Sequence, residues 1–335
     1  MTTVTFQLNW EPNGFQAPYF LARARGYYED EGLDVQFVEG HGSPFAAEEA
    51  ARGRADVGLA GASAVLAKQS EGFEPLAVAA VTKKTPAAVY TLRDVFGEPL
   101  EEPAQLAGRT VAPSATKTRI LAAQFLEDAG VRDEVELLDV DPNTHHRVQH
   151  KLLDGSVDAA VGVVTNGMEL EREHDRTADE LPIGEYLGVY GMTLVTNAEF
   201  ANENAGTVRG FLRATARGWA AATEDPDAAV DALIERNATL ERRRWIETRK
   251  FEAAANDLQL TEHVREDGWG AHRAERWRRL GSMLSETDLL DGSIDPDSVW
   301  TNAFLDRESE IVRGYADRID RSRLTGTTRP FGRPR

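Results

Sequence analysis

From residue 4 to about residue 163 the chain alternates short apolar runs with helix-length amphipathic segments. The runs 4–10, 34–38, 56–60 and 76–81 are strand-length and read as four strands. Between them, 18–25 reads as a helix stopped by Gly26. Ser43-Pro44 reads as an N-cap with proline at the first helical position, opening a helix to 52, and 63–69 as a third helix. Strands separated by helices imply parallel pairing in an open α/β sheet.

The order then repeats. Residues 109–112 predict a strand, Ser114 a cap for a helix to 129, and 135–140 a strand. Asn143 caps a further helix ending at Asp154-Gly155, before a strand at 159–164. An echo ties the halves together: GRADVG at 53–58 and GSVDAA at 155–160. Each glycine is expected to end a helix and each aspartate to lead into a short apolar strand, which predicts two similar lobes. The extended apolar segments 86–92 and 191–196 read as crossing strands of a hinge. Beyond residue 198 the pattern turns helical, with helices at 207–223 and 226–236 and further ones holding Trp245, Trp269 and Trp277, tryptophans expected to pack rather than bind. Lobe 1 is therefore expected at 1–90 plus 195–317, lobe 2 at 91–194, and a loose tail at 318–335.

Composition narrows the function. Among the 335 residues there is no cysteine, which removes disulfide frameworks, cysteine-ligated metals and thiol nucleophiles. A formal net charge of −18 argues against nucleic acid as a partner, because a phosphate backbone needs a basic surface. Only six of the 38 basic residues are lysine: Lys68, Lys83, Lys84, Lys117, Lys151 and Lys250. An acidic, lysine-poor surface is expected of a protein that works in concentrated salt, where screening relieves self-repulsion. No run reaches the ~18 apolar residues of a membrane span, and the start MTTVTFQL is not a basic-then-apolar leader. The expected location is the outer face of the membrane if a leader has been removed, and the cytoplasm otherwise.

The common catalytic motifs G-x-S-x-G, H-E-x-x-H, G-x-x-x-x-G-K-[ST] and G-x-G-x-x-G after the first strand are not found. His145, His146 and His150 form one histidine cluster, but two imidazoles a turn apart are too few for a closed site, and no metal is expected. Polar loops follow the strands instead, where open α/β sheets bind ligands. These are Asn9-Trp10-Glu11-Pro12-Asn13, Gly61-Ala62-Ser63, Pro113-Ser114-Ala115-Thr116 and Thr165-Asn166-Gly167-Met168-Glu169. The third exposes amides at a helix start, suited to an anionic or carbonyl group. Four such loops on one side of two sheets predict a cleft between the lobes.

The opening segment LNWEPNGFQAPYFLARARGYYEDEGLDV, residues 8–35, resembles the start of the thiamine-pyrimidine family. Its members include substrate-binding proteins of pyrimidine-precursor importers and the fungal pyrimidine phosphate synthase. ARGRADVGLAG, LAGRTVAPSATKT, LLDGSVDAAVGVVTNGMELE, YGMTLVTNAEF and VRGFLRATARGWAAATEDPDAAV continue the resemblance over about the first 230 residues. The later motifs are shared with binding proteins for sulfonates, nitrate and other small solutes. The resemblance implies an α/β, two-lobe type II periplasmic-binding-protein fold that closes like a clamshell, here with a helical C-terminal extension. It also implies a small heterocyclic ligand, above all a thiamine pyrimidine precursor, with an ABC permease as partner and no cofactor; the alternatives are another small solute (a sulfonate, a flavin or a small anion) or a cytoplasmic synthase-like enzyme.

Carried over by position, Trp10 becomes the aromatic plate under a flat heterocycle. Asn9 stands where the importer proteins have Asp, and Gln16 where they have His. Glu169 matches a carboxylate suited to a ring amine, and Tyr190 precedes the returning hinge strand near the cleft mouth. Ser63, Ser114, Thr116 and Asn166 complete the expected ligand set. The synthase's cofactor-binding lysine and substrate-donating histidine align with Ala60 and Ala64, and its cysteine-rich motif with Gly188-Val189-Tyr190-Gly191-Met192. Without that lysine there is no Schiff base for pyridoxal phosphate.

Overall fold

The computed structural model describes residues 1–140, 148–287 and 290–306. The described strands are β1 (Thr2–Gln7), β2 (Leu33–Val38), β3 (Val57–Gly61), β4 (Pro75–Ala80), β5 (Ala87–Leu92), β6 (Thr110–Pro113), β7 (Glu136–Leu137), β8 (Ala159–Val163), β9 (Ala178–Pro182) and β10 (Met192–Asn197). They form two sheets, ordered β2-β1-β3-β10-β4 and β7-β6-β8-β5-β9. Among the described residues, the first unit contains Met1–Lys84 and the chain from Val189 to Asp306, and the second contains Thr85–Gly188. The chain thus changes unit at 84/85 and 188/189, several residues before the expected 90/91 and 194/195. The reason lies in the pairing: β5 lies wholly in the second sheet and β10 wholly in the first. The expected tail at 318–335 lies outside the described residues.

Both sheets follow one plan. Three strands run parallel, an antiparallel strand joins them (β10 or β5), and a last strand closes the edge. The inner strands β3 (VGLAG) and β5 (AAVYTL) are buried at every residue, which is why they read as unbroken apolar runs rather than alternating ones.

The GRADVG/GSVDAA echo is a hydrogen-bonded device present in each unit. Gly53 and Gly155 both adopt positive φ, +69° and +74°, directly after a helix. The amide of the following residue reaches back five positions, Arg54 to the Glu49 carbonyl and Ser156 to the Lys151 carbonyl, both 2.9 Å, the closure of a Schellman turn. Three residues after each glycine the aspartate exchanges bonds with the neighbouring parallel strand. Thr5 N–H donates to Asp56 Oδ2 (2.7 Å) and Asp56 N–H to the Thr5 carbonyl (3.1 Å). Thr110 N–H donates to Asp158 Oδ2 (2.8 Å) and Asp158 N–H to the Thr110 carbonyl (3.0 Å). A threonine hydroxyl from the antiparallel strand then caps each aspartate carbonyl, Thr196 on Asp56 at 2.8 Å and Thr91 on Asp158 at 2.5 Å.

Local expectations shift in places. Gly42, not Ser43, is the N-cap of the helix Ser43–Ala51, so Pro44 takes its second position. Ala115, not Ser114, is the N-cap of Thr116–Asp128. Trp269 follows the helix Glu262–Asp267 rather than lying in one, but it is fully buried, as is Trp277. The Asn143 cap falls on residues outside those described. Strand β9 carries no apolar pattern, because its sequence ADELP is polar and buries only Leu181 on the sheet's edge. The core of unit 1 gathers Phe6, Tyr19, Phe20, Trp219 and Phe211 under the long helix Ala205–Glu224, with Phe6 edge-on to Tyr19 and Phe211. The second unit packs a smaller cluster around Tyr90, Leu92 and Leu152.

Candidate functional site

In unit 1 the strands β1 and β3 end, and β10 begins, on one edge of the sheet, since Met192 pairs with Gly61. Asn9, Trp10, Gln16 and Ser63 lie in the segments that leave this edge. The backbone at Trp10 is pinned from behind. Gly42 N–H donates to the Asn9 carbonyl (2.7 Å) and Gly40 N–H to the Trp10 carbonyl (3.4 Å). Gly40 cannot be larger, because a Cβ there would sit 1.9 Å from the Leu8 carbonyl. Gln7, 4% exposed, adds bonds from Nε2 to the Leu8 and Glu39 carbonyls. On this fixed backbone Trp10 is 40% exposed, a partly exposed aromatic residue at the end of β1.

Asn13 caps the short helix Gly14–Gln16 reciprocally: its Oδ1 accepts from Phe15 N–H (3.0 Å) while Asn13 N–H donates to Gln16 Oε1 (2.8 Å). Gln16, expected as a ligand contact, is 2% exposed, and its Nε2 donates to Asn9 Oδ1 at 2.9 Å. It supports Asn9 from beneath. The adjacent Gly14 N–H donates to the buried carboxylate of Glu247 at 2.7 Å, a residue that no sequence motif marks. Ser63 is half-buried at the second position of the helix Ala62–Ser70. Ala60 and Ala64 are both buried methyls.

The structure places Tyr190 inside unit 1 instead of on a ligand-facing mouth. It is 3% exposed, and its hydroxyl accepts from Arg273 N–H at 2.7 Å. Its ring lies 5.9 Å, centroid to centroid, from each of His263, His272 and Trp277. Lys83 Nζ and the Arg276 guanidinium lie 5.8 and 5.4 Å from the same ring. Burial pushes the Tyr190 phenol up. Lys83, fully buried, donates to the carbonyls of Ala80 (3.0 Å) and Ala271 (2.6 Å), stitching the end of β4 to the C-terminal segment. Burial, then Arg276, holds its ammonium well below the usual lysine range. His272 Nδ1 accepts from Trp277 Nε1–H at 3.1 Å, which requires that nitrogen unprotonated, and burial followed by Lys83 keeps the imidazole well below its ordinary value. This polar interior was invisible in sequence, since its members come from residues 83, 190 and 263–277.

In unit 2, β6 and β8 end on a common edge, and Ser114, Thr116, Asn166 and Glu169 follow them. Thr116 is exposed at the first position of its helix, while Ser114 is half-buried, with its Oγ 3.4 Å from Thr118 Oγ1. Asn166 Oδ1 accepts from Val163 N–H (2.9 Å) and its Nδ2 donates to Glu169 Oε2 (3.3 Å), so these two expected residues form a pair. The close approach needs Gly162, where a Cβ would lie 2.3 Å from Asn166 Oδ1. The amides at this helix start are already engaged: Gly167 N–H and Thr165 N–H donate to Glu180 (2.6 and 3.3 Å). Burial raises the Glu180 carboxyl above its usual value, and these two amides oppose the rise. Thr165 holds φ +89°, a conformation costly for a β-branched residue and retained at the candidate edge. Among the described residues no group of three or more His, Asp or Glu is arranged to hold a metal ion. His145 and His146 fall outside them, and no helix among the described residues is long and apolar enough to cross a membrane.

A concavity of about 420 Å³, lined by Gln69, Phe73, Glu74, Pro75 and Ser298, opens at the start of β4, the opposite end from Trp10. It shares no residue with the candidate set.

The family model described as "NMT1/THI5 like" matches residues 13–229. The chain belongs to this family. It is 25% identical over 301 residues to the formylaminopyrimidine-binding protein of Halalkalibacterium halodurans, covering 87% of each chain. It is 26% identical over 245 residues to the 4-amino-5-hydroxymethyl-2-methylpyrimidine phosphate synthase THI13 of Saccharomyces cerevisiae, covering 69% of this chain and 70% of that one. Among solved structures, the periplasmic aliphatic sulphonate binding protein SsuA of Escherichia coli superposes with a TM-score of 0.66 at 14% identity, over 89% of this chain and 92% of that one. That likeness establishes the periplasmic-binding-protein fold, as the resemblance had implied, with a helical C-terminal portion. Binding proteins and a synthase therefore both stand among the relatives of this family member.

Proposed function

We propose that this protein is the substrate-binding component of an ABC importer and captures a flat heterocycle of the thiamine-pyrimidine precursor type. The observation that carries this is Trp10, held open on a backbone pinned by Gly40 and Gly42, with the Asn9 amide beside it. An exposed indole fixed in place buries a large area against a planar ring at little conformational cost. Ser63, Ser114, Thr116, Asn166 and Glu169 are the further polar groups assigned to the ligand, all at strand ends where α/β sheets bind solutes. Buried Tyr190 and Gln16 act behind the contact surface. A relative named as a formylaminopyrimidine-binding protein supports the choice of ligand class. The acidic, lysine-poor composition supports work in concentrated salt.

A synthase role is disfavoured by Ala60 and Ala64, two buried methyls in place of a lysine and a histidine. Thermal denaturation at high salt with a panel of pyrimidines, flavins, sulfonates and pyridoxal phosphate separates the readings. A pyrimidine precursor at a hundred times its dissociation constant should add about 2.7 kcal/mol. Stabilisation by pyridoxal phosphate with an aldimine absorption band, and none by pyrimidines, would overturn the binding-protein reading.

A further inference from the structure

The hydrogen-bond chain behind Asn9 has a fixed polarity. It starts at Asn13 N–H, a backbone group that can only donate, so the Gln16 atom facing it at 2.8 Å is the amide oxygen. The other end of that amide is therefore Nε2, and it donates to Asn9 at 2.9 Å. Asn9 must meet it with Oδ1. No amide flip relieves this, because turning either side chain would place two donors or two acceptors face to face inside a helix cap where Gln16 is 2% exposed. Asn9 Nδ2 has no partner among the described residues, and Asn9 itself is half-buried beside Trp10.

We propose that Gln16 is a positioning residue that sets the specificity of the Trp10 site: it turns Asn9 into a hydrogen-bond donor, so the bound heterocycle presents an acceptor, a ring or exocyclic carbonyl, at that edge. The inference rests on the reading of Trp10 and Asn9 as ligand contacts. It assigns to the neutral amide the reverse of what a carboxylate would do there, since a carboxylate accepts from an exocyclic amine. A formamide carbonyl on a pyrimidine precursor satisfies this requirement, and so does an oxo group on the ring itself.

The test is calorimetric titration of the full chain with the matched pair 2-methylpyrimidin-4-one and 4-amino-2-methylpyrimidine. The native protein should favour the oxo compound at least tenfold. Gln16→Glu keeps an acceptor for Asn13 N–H but offers a second acceptor to Asn9. The Asn9 amide then turns over and Oδ1 faces the ligand, so the preference should reverse without any change at the contact residue. Asn9→Asp should reverse it by supplying a carboxylate directly, and serves if Gln16→Glu does not fold. Native protein that binds both compounds equally, or the amine more tightly, overturns the inference and leaves the site standing. An unchanged ratio in the folded variants does the same. If neither compound binds, the heterocycle site is wrong and the inference falls with it.

Discussion

The two units share a scaffold to the level of individual hydrogen bonds and differ in what they mount on it. In each, a positive-φ glycine closes a helix, an aspartate three residues on clamps the neighbouring parallel strand, and a threonine from the antiparallel strand caps the aspartate carbonyl. Unit 1 then carries an exposed tryptophan with an oriented amide at its strand ends, over a buried interior of Lys83, Tyr190, His272 and Arg276. Unit 2 carries small hydroxyls and an Asn166–Glu169 pair, with Glu180 already seated on its helix-start amides. Scaffold is set by a few hydrogen bonds that recur in each unit, and chemistry by the loop residues that do not.

The largest expected effect comes from breaking one clamp at a time. Asp56→Ala and Asp158→Ala each strand a part-buried amide, at a cost of about 1–3 kcal/mol for the unsatisfied donor. Amide hydrogen exchange should show Asp56→Ala deprotecting β1 and β3 while β6 and β8 keep their protection, and Asp158→Ala the converse. Equal loss across both sheets from either variant would show that the clamps do not act within their own units.

A smaller effect distinguishes the interiors. His272 stays neutral in the fold, whereas in the unfolded chain it takes a proton below about pH 6.5, so the unfolded state binds more protons on acidification. Stability of unit 1 should therefore be intact above that pH and fall progressively as the pH drops below it. His272→Gln retains an acceptor for Trp277 N–H and should make this slope shallower, the remainder coming from His263, which burial also holds below its ordinary value. The described histidines of unit 2, His150 and His174, are exposed and supply no such buried group. A slope unchanged by His272→Gln would remove this contrast.

Sequence pattern carried the architecture well where burial was two-sided: β3 and β5 are unbroken apolar runs, and helix Pro226–Arg236 announced itself by its proline and its period. The echo at 53–58 and 155–160 was visible as letters, but its meaning lay in Thr5, Thr110, Thr91 and Thr196, distant residues that no local pattern links to it. Strand β9 escaped because an edge strand with one buried residue has no apolar signature. At the candidate site, strand-end position pointed to Asn9 and Trp10, whereas the contact roles expected of Gln16 and Tyr190 came from position in the family resemblance. Tertiary packing buries both and engages their polar atoms elsewhere. Glu180 and Glu247 act only through amides brought near by folding, so sequence gave no reason to single them out.

The most direct measurement is the affinity of Trp10→Ala for a pyrimidine precursor, read by calorimetry beside the native protein. Because Trp10 is 40% exposed, the variant should fold with nearly native stability. Loss of the stacking surface should weaken binding at least tenfold, about 1.4 kcal/mol. A folded Trp10→Ala protein with undiminished affinity would contradict the placement of the ligand on unit 1.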